Sequence, residues 1–240
     1  MDILAADIGN TCVAAARWAG GQFGQVWRVP TGQALPRAAF SGAQVMALAS
    51  VVPQAEAAFL RDCARWAPEA RVALASAQTV PVNGPAGAGA DRLVNALAAA
   101  RGPWPLPAVV VDVGTATTVD LVDAAGRFRG GAILPGPAAG LAGLRQAVAA
   151  GLPQVPLARP DSAVGPDTAG ALTAGAYWGH IGAIQGVIAA MAAEIGAQPY
   201  SIATGGLAPA LAPDLAPDAL VPDLTLRGLV AMARLGAAGP

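Results

Sequence analysis

The most informative absence in this sequence is that of lysine. All 14 basic residues are arginine, in a chain of 240 residues that carries 15 acidic residues and a formal net charge of −1. This absence excludes a P-loop with its lysine, a Schiff-base lysine and the lysine of a protein-kinase active site. A phosphate site in this chain therefore has to rely on backbone amides, hydroxyl groups and metal ions.

Charge, cysteine and histidine are also scarce. Charged residues make up 12% of the chain, too few to hold a nucleic acid or an anionic membrane surface, so the expected partner is a small molecule. The sequence contains two cysteines, Cys12 and Cys63, and one histidine, His180. This number is too small for a structural zinc site or a disulfide framework, and it is typical of a protein in the reducing cytosol. Since Met1 and Asp2 lead directly into an apolar run without the basic region of a secretory signal, we predict a cytoplasmic protein.

One apolar stretch, Gly175 to Ala197, is long enough to resemble a membrane span. Glycine and alanine dominate it, and arginine does not flank it closely, so we reject that interpretation. We predict instead a long buried helix. Its glycines Gly175, Gly179, Gly182 and Gly186 would pack closely against a neighbouring element or a second subunit.

The strongest pattern in the sequence is a repeated motif. Asp7-Ile8-Gly9-Asn10-Thr11 follows one short apolar run, and Asp112-Val113-Gly114-Thr115-Ala116 follows another. Each copy continues into a second apolar stretch, a glycine turn and a third apolar stretch, which predicts two equivalent β-hairpins. A lone Asp-x-Gly is usually only a turn, whereas two copies 105 residues apart predict a duplicated fold that clamps a polyphosphate between its halves.

The residue types of the motif fit an anion and a cation held together. Gly9 and Gly114 allow backbone amides to face an anion, and the hydroxyl groups beside them add neutral donors. Asp7 and Asp112, each at the end of a predicted strand, are placed to hold a cation against that anion.

Asp91 has a plain and a functional interpretation. It lies where a loop rich in proline, glycine and asparagine, Val80 to Ala88, meets a predicted helix; this loop contains no aromatic residue. Asp91 is either the N-cap of the helix or a general base with Arg92 as its anion-binding partner, and local spacing alone favours the cap.

Thr168 and the pair Gly205-Gly206 leave similar alternatives open. Thr168 is either a residue of a first helical turn without a further role or a hydroxyl offered to a ligand. Gly205 and Gly206 form either a tight turn or a flat backbone surface for adenine and ribose. Leu207 to Asp223 is predicted to be a linker with broken helical turns, followed by an amphipathic helix from Leu224 to Leu235.

The predicted boundary between the halves lies at Gly102-Pro103-Trp104-Pro105, which ends the helix that follows Asp91. It divides the chain into an N-terminal half, residues 1–104, and a C-terminal half, residues 105–240. In the first half the pattern predicts strands first and a helix after them, with a further βα unit, as expected for one α/β half of a duplicated domain.

Taken together, these motifs resemble type III pantothenate kinase, and the match spans almost the full chain. The Asp-x-Gly-Thr motifs alone indicate only the superfamily of actin, hexokinase and sugar kinases, and Gly-Ala-Asp-Arg narrows the resemblance. The matching segments, in order, are Asp7-Ile8-Gly9-Asn10-Thr11, Ser50-Val51-Val52-Pro53, Gly89-Ala90-Asp91-Arg92, Asp112-Val113-Gly114-Thr115-Ala116, Thr204-Gly205-Gly206 and Pro222-Asp223-Leu224-Thr225-Leu226-Arg227-Gly228-Leu229.

The resemblance implies a duplicated ribonuclease-H-like (actin-like ATPase) α/β fold, with the active site in the cleft between two similar halves. It implies ATP-dependent phosphorylation of pantothenate to 4'-phosphopantothenate, the first step of coenzyme A biosynthesis. It also implies a homodimer with the active site near the subunit interface, and a requirement for Mg²⁺ and for K⁺ or NH₄⁺.

The resemblance also assigns roles by position. Asp91 corresponds to the proton acceptor, and Asp112 to the ligand of the monovalent cation. Asp7 corresponds to a ligand of the divalent cation bound with ATP. The substrate-binding positions are Gly89, Ala90, Asp91, Arg92 and Thr168. The ATP-binding positions are Asp7, Ile8, Gly9, Asn10, Thr11, Thr115, Gly205 and Gly206.

Two alternative functions stay open. One is a catalytically weak or inactive relative, similar to the accessory-factor branch of the family, that binds nucleotide and acts through protein contacts. Asp91 and Arg92 argue against it, because a sensor needs no general base. The other is a superfamily kinase for a different small alcohol.

Overall fold

The structure is a computed structural model that describes residues 1–149 and 151–237. It contains two five-stranded sheets, which follow one another along the chain. The strands of the first sheet are β1 (Ile3–Ile8), β2 (Cys12–Ala19), β3 (Gln22–Pro30), β4 (Val45–Ser50) and β5 (Arg71–Leu74). The strands of the second sheet are β6 (Ala108–Val113), β7 (Ala116–Val122), β8 (Phe128–Pro135), β9 (Tyr200–Thr204) and β10 (Ala219–Leu220).

Seven α-helices connect these strands in the described residues. They are α1 (Pro53–Trp66), α2 (Ala90–Arg101), α3 (Pro137–Ala147), α4 (Thr168–Ala174), α5 (His180–Ile195), α6 (Ala208–Leu215) and α7 (Leu224–Leu235). A π-helical turn, Gly175–Gly179, joins α4 to α5, and a short 3₁₀ turn, Arg37–Ala39, precedes β4.

The two sheets have the same strand order. It is β3-β2-β1-β4-β5 in the first and, read from the corresponding edge, β8-β7-β6-β9-β10 in the second. In each sheet the central strand pairs antiparallel with the strand that follows it, and parallel with β4 or β9 on its other side. The central strands β1 and β6 are buried almost throughout, as expected for strands covered on both faces. The predicted duplication is therefore confirmed.

The contacts between Cα atoms divide the chain into two compact units. The first unit comprises residues 1–103, residues 126–128 and the chain from Asp223 onwards, and the second comprises residues 104–125 and 129–222. The proposed domain limits at 104 and 105 stay a prediction, but the last helix has its contacts in the first unit. There α7 packs on α2 so closely that a Cβ atom on Gly228 would lie 2.0 Å from the carbonyl oxygen of Val94.

Each unit has an apolar core beside its central strand. In the first unit Leu4, Ile8 and Met46 pack with Phe40 and Phe59. In the second unit, Val109, Val111 and Ala203 pack with Tyr177 and Ile184. The sequence supplies these residues as buried strand runs and as one stripe of each helix, which is why the strands and most helices were predictable.

The prediction that Leu207 to Asp223 is a linker is wrong. This segment contains the helix α6 and the strand β10, although Pro213 lies inside the helix. Proline removes one helical hydrogen bond, but Ala208, Leu211 and Leu215 are buried against the second core. Burial of this apolar stripe outweighs the local cost of the proline.

The glycine-rich helix is present, but in the described part of the chain its glycines are not in close contact with another element. Gly175, Gly179, Gly182 and Gly186 are all exposed, and a Cβ atom added to any of them would meet no described atom within 4 Å outside its own helix. The prediction of close packing against a neighbouring element is therefore wrong for the described residues, which leaves the second-subunit alternative. None of the helices in residues 1–149 and 151–237 is long and apolar enough to cross a membrane.

Candidate active site

The two predicted acids occupy the same position in the two sheets. Asp7 and Asp112 are each the fifth residue of a six-residue central strand, and the two strands have the same sequence of buried and half-buried positions. Both side chains are half-buried and both take part in polar interactions. We call β1–β3 with the turn 9–11 the first ribbon, and β6–β8 with the turn 114–115 the second ribbon.

The glycines of the two turns close the hairpins. The amide of Gly9 donates to the carbonyl oxygen of Cys12 at 3.1 Å, and the amide of Gly114 donates to that of Ala116 at 2.9 Å. These two amides therefore stabilise the turns and are not the ones that would meet an anion. The other turn residues, Asn10, Thr11 and Thr115, are exposed.

Each turn is supported by the residue that follows the third strand of its ribbon. The amide of Thr31 donates to the carbonyl oxygen of Thr11 at 3.0 Å, and its hydroxyl donates to that of Gly9 at 2.7 Å. In the second ribbon the amide of Gly136 donates to the carbonyl oxygen of Thr115 at 2.9 Å. A Cβ atom on Gly136 would lie 2.1 Å from the carbonyl oxygen of Gly114, so only glycine fits there.

Sequence reasoning missed both supporting residues, although a signal was present. Each follows a proline that ends its third strand, in Pro30-Thr31 and Pro135-Gly136. The equivalence of Thr31 and Gly136 becomes visible when the sequences of the two hairpins are aligned by their Asp-x-Gly motifs.

Gly205 lies directly against the second acid. Its φ angle is +92°, and a Cβ atom there would lie 2.4 Å from Oδ1 of Asp112 and 2.5 Å from the carbonyl oxygen of Val113. Glycine is therefore required both by conformation and by space. Gly206, in contrast, is exposed, and a Cβ atom there would meet no described atom within 4 Å. The structure thus brings Gly205 and Asp112 together and leaves one side of Gly206 open.

Asp91 is not the N-cap of α2. Gly89 occupies that position, and Asp91 is the second residue of the helix. Its Oδ1 accepts a hydrogen bond from the amide of Arg92 at 2.8 Å, so the carboxylate binds one of the amides that a helix leaves unpaired at its first turn. A Cβ atom on Gly89 would lie 2.6 Å from the same oxygen, which explains the glycine before the acid.

Thr168 is the first residue of α4, and its side chain is exposed. The cap is Asp167, whose Oδ1 accepts from the amide of Gly170 at 2.7 Å. The capping role is therefore filled by the preceding residue, and the hydroxyl of Thr168 is not needed for it.

The long connection before Thr168 is fastened by an acid on α6. Asp214 accepts from Nε of Arg159 at 2.6 Å and from the hydroxyl of Tyr177 at 2.7 Å. Two hydrogen bonds lower the pKa of the Asp214 carboxyl: the bond from Arg159 has the larger effect and the bond from Tyr177 the next largest. These contacts tie the connection and the π-helical turn to the helix that follows Gly205 and Gly206.

The only histidine of the sequence lies in a groove of the second unit. This groove has a volume of about 450 Å³ and is lined by α3 and by the helices from α4 to α5, with Leu141, Leu144 and Ala176 among its residues. Nε2 of His180 lies 2.9 Å from the hydroxyl of Thr117, which is fully buried. Desolvation lowers the pKa of His180, so the ring is neutral at pH 7.

The donor set suits a cation that is held together with phosphate. Among residues 1–149 and 151–237, no group of three or more histidine, cysteine, aspartate or glutamate residues could hold a metal ion. Mg²⁺ in nucleotide sites commonly takes one or two carboxylates and completes its coordination with phosphate oxygens and water. Single carboxylates such as Asp7 and Asp112 fit this kind of binding and do not fit a metal site made by protein alone.

The predicted site residues fall into two groups. The first unit contains Asp7 to Thr11 and Gly89 to Arg92, and the second contains Asp112, Thr115, Thr168, Gly205 and Gly206. Within the second group Gly205 contacts Asp112, and within the first Gly89 and Arg92 contact the carboxylate of Asp91. The predicted cleft between the halves stays a prediction.

Comparison with protein families identifies the relatives of this arrangement. Residues 3–190 match the family model of type III pantothenate kinase. The chain belongs to the type III pantothenate kinase family. Among its members, the type III pantothenate kinase of Acidiphilium cryptum is 38% identical over 246 residues, covering 94% of this chain and 92% of that protein. That of Gluconobacter oxydans is 38% identical over 248 residues, covering 95% of this chain and 91% of that protein.

Solved structures show the same fold at lower identity. A Baf family protein from Campylobacter jejuni has a TM-score of 0.63 and 19% identity, covering 98% of this chain and 99% of its own. The activator of the 2-hydroxyisocaproyl-CoA dehydratase from Clostridium difficile, with bound ADPNP, has a TM-score of 0.52 and 12% identity, covering 99% and 97%. With the repeated strand order, these similarities confirm the predicted duplicated, actin-like α/β fold for this member of the pantothenate kinase family.

Proposed function

We propose that the protein is a pantothenate kinase, which transfers the terminal phosphoryl group of ATP to the hydroxyl of pantothenate. The product is 4'-phosphopantothenate, and the reaction is the first step of coenzyme A biosynthesis. The observation that carries this proposal is the similarity to type III pantothenate kinases over almost the whole chain. It is also supported by the two ribbons, which place Asp7 and Asp112 at the same position of equivalent strands, where each could hold a cation against a phosphate.

Phosphoryl transfer depends mainly on positioning and on neutralisation of charge. The substrate oxygen attacks the terminal phosphorus, the bond from that phosphorus to the bridging oxygen breaks, and ADP leaves. The proton of the hydroxyl goes to the carboxylate of Asp91. The hydrogen bond from the Arg92 amide holds this carboxylate in a fixed orientation at the start of α2, as a general base requires.

The remaining residues bind the two substrates. Gly89, Ala90, Arg92 and Thr168 bind pantothenate, and Arg92 supplies a positive charge for the carboxylate of this substrate. The turn Asp7 to Thr11, with Thr115, binds the phosphates of ATP, and Gly205 and Gly206 lie along its adenosine.

Cations take the place of the missing lysine. Asp7 would hold Mg²⁺ together with the phosphate oxygens, and Asp112 would hold K⁺ or NH₄⁺. These cations would neutralise charge on the phosphates, which in this chain no lysine can do. Activity is therefore expected to vanish in chelator and to fall steeply without K⁺ or NH₄⁺, and full turnover in chelator would contradict the proposal.

The exposed glycines of α5 and the preceding π-helical turn support a homodimer. A helix face of glycine and alanine allows close approach of a second helix, and a Cβ atom on any of these glycines would meet no described atom within 4 Å outside its own helix. We propose that this face is covered by a second copy and that the active site lies near the subunit interface. A cytoplasmic location without nucleic acid or membrane partners accords with the low charge and with a water-soluble substrate.

One assay tests the function. The protein is incubated with ATP, magnesium and potassium, and the formation of ADP is measured with and without pantothenate. Pantothenate-dependent ADP formation is the expected result. Turnover only with another small alcohol would favour a different superfamily kinase, and nucleotide binding without turnover would favour an accessory protein.

The variant Asp91→Asn tests the general base. Asparagine keeps an oxygen that accepts from the Arg92 amide but cannot take up the substrate proton. We expect turnover to fall by about 10²- to 10⁴-fold, with unchanged ATP affinity measured by calorimetry. Retained turnover would remove Asp91 from this role.

A further inference from the structure

We infer that Phe128 is a positioning residue for the segment from Asn83 to Arg92, which ends in the proposed substrate-binding residues. This inference rests on the proposed function, because it takes Gly89 to Arg92 as the pantothenate-binding segment. Phe128 is the first residue of β8, but residues 126–128 belong by their contacts to the first unit. Its side chain is only 2% exposed.

The first link is a backbone hydrogen bond. The amide of Phe128 donates to the carbonyl oxygen of Asn83 at 2.8 Å. This bond joins the start of β8 to a loop and is not part of a sheet or a helix. Asn83 itself is exposed, in a loop that contains seven residues of proline, glycine and alanine between it and Asp91. A loop of this composition has few contacts of its own to fix its course, so each such bond matters for its position.

The second link is the packing of the ring on Gly84. A Cβ atom on Gly84 would lie 2.9 Å from Cδ1 and 3.2 Å from Cβ of Phe128. The backbone of the loop at Gly84 therefore lies directly against the side chain of Phe128, and a residue larger than glycine would clash with it. The loop has no aromatic residue of its own, and Phe128 provides one from elsewhere in the chain.

The third link is the contact with Arg92. The guanidinium carbon of Arg92 lies 5.5 Å from the centre of the Phe128 ring, within the range of a cation–π interaction. Arg92 directly follows Asp91 and donates its amide to that carboxylate. One residue thus contacts both ends of the segment: its backbone amide binds Asn83, and its side chain packs on Gly84 in the loop and on Arg92 at the helix start. Phe128 holds the two ends at a fixed spacing, and Gly89 to Asp91 lie between them.

The test compares Phe128→Leu with a matched control, Phe59→Leu. Phe59 is also a buried phenylalanine of the first unit, but it lies on α1 in the main core. Leucine at 128 keeps an apolar side chain and removes the aromatic face from Arg92. We expect the KM for pantothenate to rise by about three- to tenfold in Phe128→Leu, with a smaller change in kcat and in the KM for ATP. Phe59→Leu is expected to lower the Tm without this selective effect.

A second variant, Gly84→Ala, approaches the same contact from the loop. Its added methyl group would press on the ring, so we expect a similar rise in the KM for pantothenate. Because both substitutions act on the same contact between residues 84 and 128, the double variant Gly84→Ala/Phe128→Leu is expected to show less than the product of the two single effects. Multiplicative effects would overturn the inference that the two residues act through one contact.

Hydrogen exchange separates this inference from the proposed function. Amides of residues 82–92 are expected to exchange faster in Phe128→Leu than in the wild type, and at the wild-type rate in Phe59→Leu. Equal exchange in the two variants would overturn the positioning role even if the wild type is an active pantothenate kinase. An inactive wild type would overturn the proposed function, while faster exchange confined to Phe128→Leu would still support the contact of Phe128 with this segment.

Discussion

The first and second ribbons share a scaffold but support their turns in different ways. Both place an aspartate at the fifth position of a central strand, and both use the amide after the third strand to bind the turn. The first ribbon adds the hydroxyl of Thr31, whereas the second brings the bare backbone of Gly136 and Gly205 against its turn and its acid. One turn is thus fixed by a side chain and the other by the absence of side chains. Duplication has kept the position of the acids and allowed their surroundings to diverge.

The largest expected effect comes from the acids themselves. We expect Asp7→Asn to reduce kcat by about 10²- to 10³-fold, because the proposed ligand of the cation on the reacting phosphates is lost. Asp112→Asn should chiefly raise the concentration of K⁺ needed for half-maximal rate. Rates measured against Mg²⁺ and against K⁺ check both variants. Identical responses of the two variants to the two cations would show that the ribbons have not diverged in this respect.

An intermediate effect is expected from the residues that support the turns. In Gly136→Ala the new methyl group meets the carbonyl oxygen of Gly114, so we expect a loss of about 1–3 kcal/mol in the free energy of unfolding. Thr31→Val removes one hydroxyl hydrogen bond and should cost about 1 kcal/mol. Urea unfolding measures both, and Thr31→Ser is the control that retains the hydroxyl. A larger loss in the free energy of unfolding for Thr31→Val than for Gly136→Ala would contradict this expected order of the two ribbons.

The smallest expected effect is the pH dependence of the free energy of unfolding that comes from His180, whose ring contacts Thr117 of the second ribbon. Burial lowers its pKa in the folded protein, so the unfolded chain binds the proton more readily. The free energy of unfolding should therefore be highest above pH 6.5 and fall as the pH drops below that value. Because His180 is the only histidine of the sequence and contacts Thr117 of the second ribbon, His180→Gln should flatten the stability curve between pH 7 and pH 5.5. A wild-type curve that is already flat in this range would contradict the expectation.

The repeated motif made the fold predictable, because hydrophobic runs and glycine turns are local signals. The strand that carries Asp7, the strand that carries Asp112 and the helix from Leu224 to Leu235 lie where the sequence predicts them. The helix α6 was missed, because proline is a local signal against a helix and the burial of Leu211 and Leu215 is a tertiary effect.

The details of the site were less predictable than the fold. Thr31 and Gly136 act on turns about 20 residues earlier in the chain, and no local pattern reveals which carbonyl they meet. The requirement for glycine at Gly205 depends on the approach of a strand that ends more than 90 residues before it. Asp91 was found by its motif, but only the structure shows that its carboxylate binds the Arg92 amide while Gly89 is the cap.

The position of α7 has a consequence for biosynthesis. This helix packs on α2 and on strands of the first sheet, with Gly228 directly against the backbone of Val94, yet it is encoded after every strand of the second sheet. During translation the N-terminal part of the first unit is synthesised first, but its packing on α7 can be completed only after residues 104–222 have also been translated. A nascent chain arrested before residue 224 would leave the apolar surface of α2 uncovered, as a ready target for chaperones.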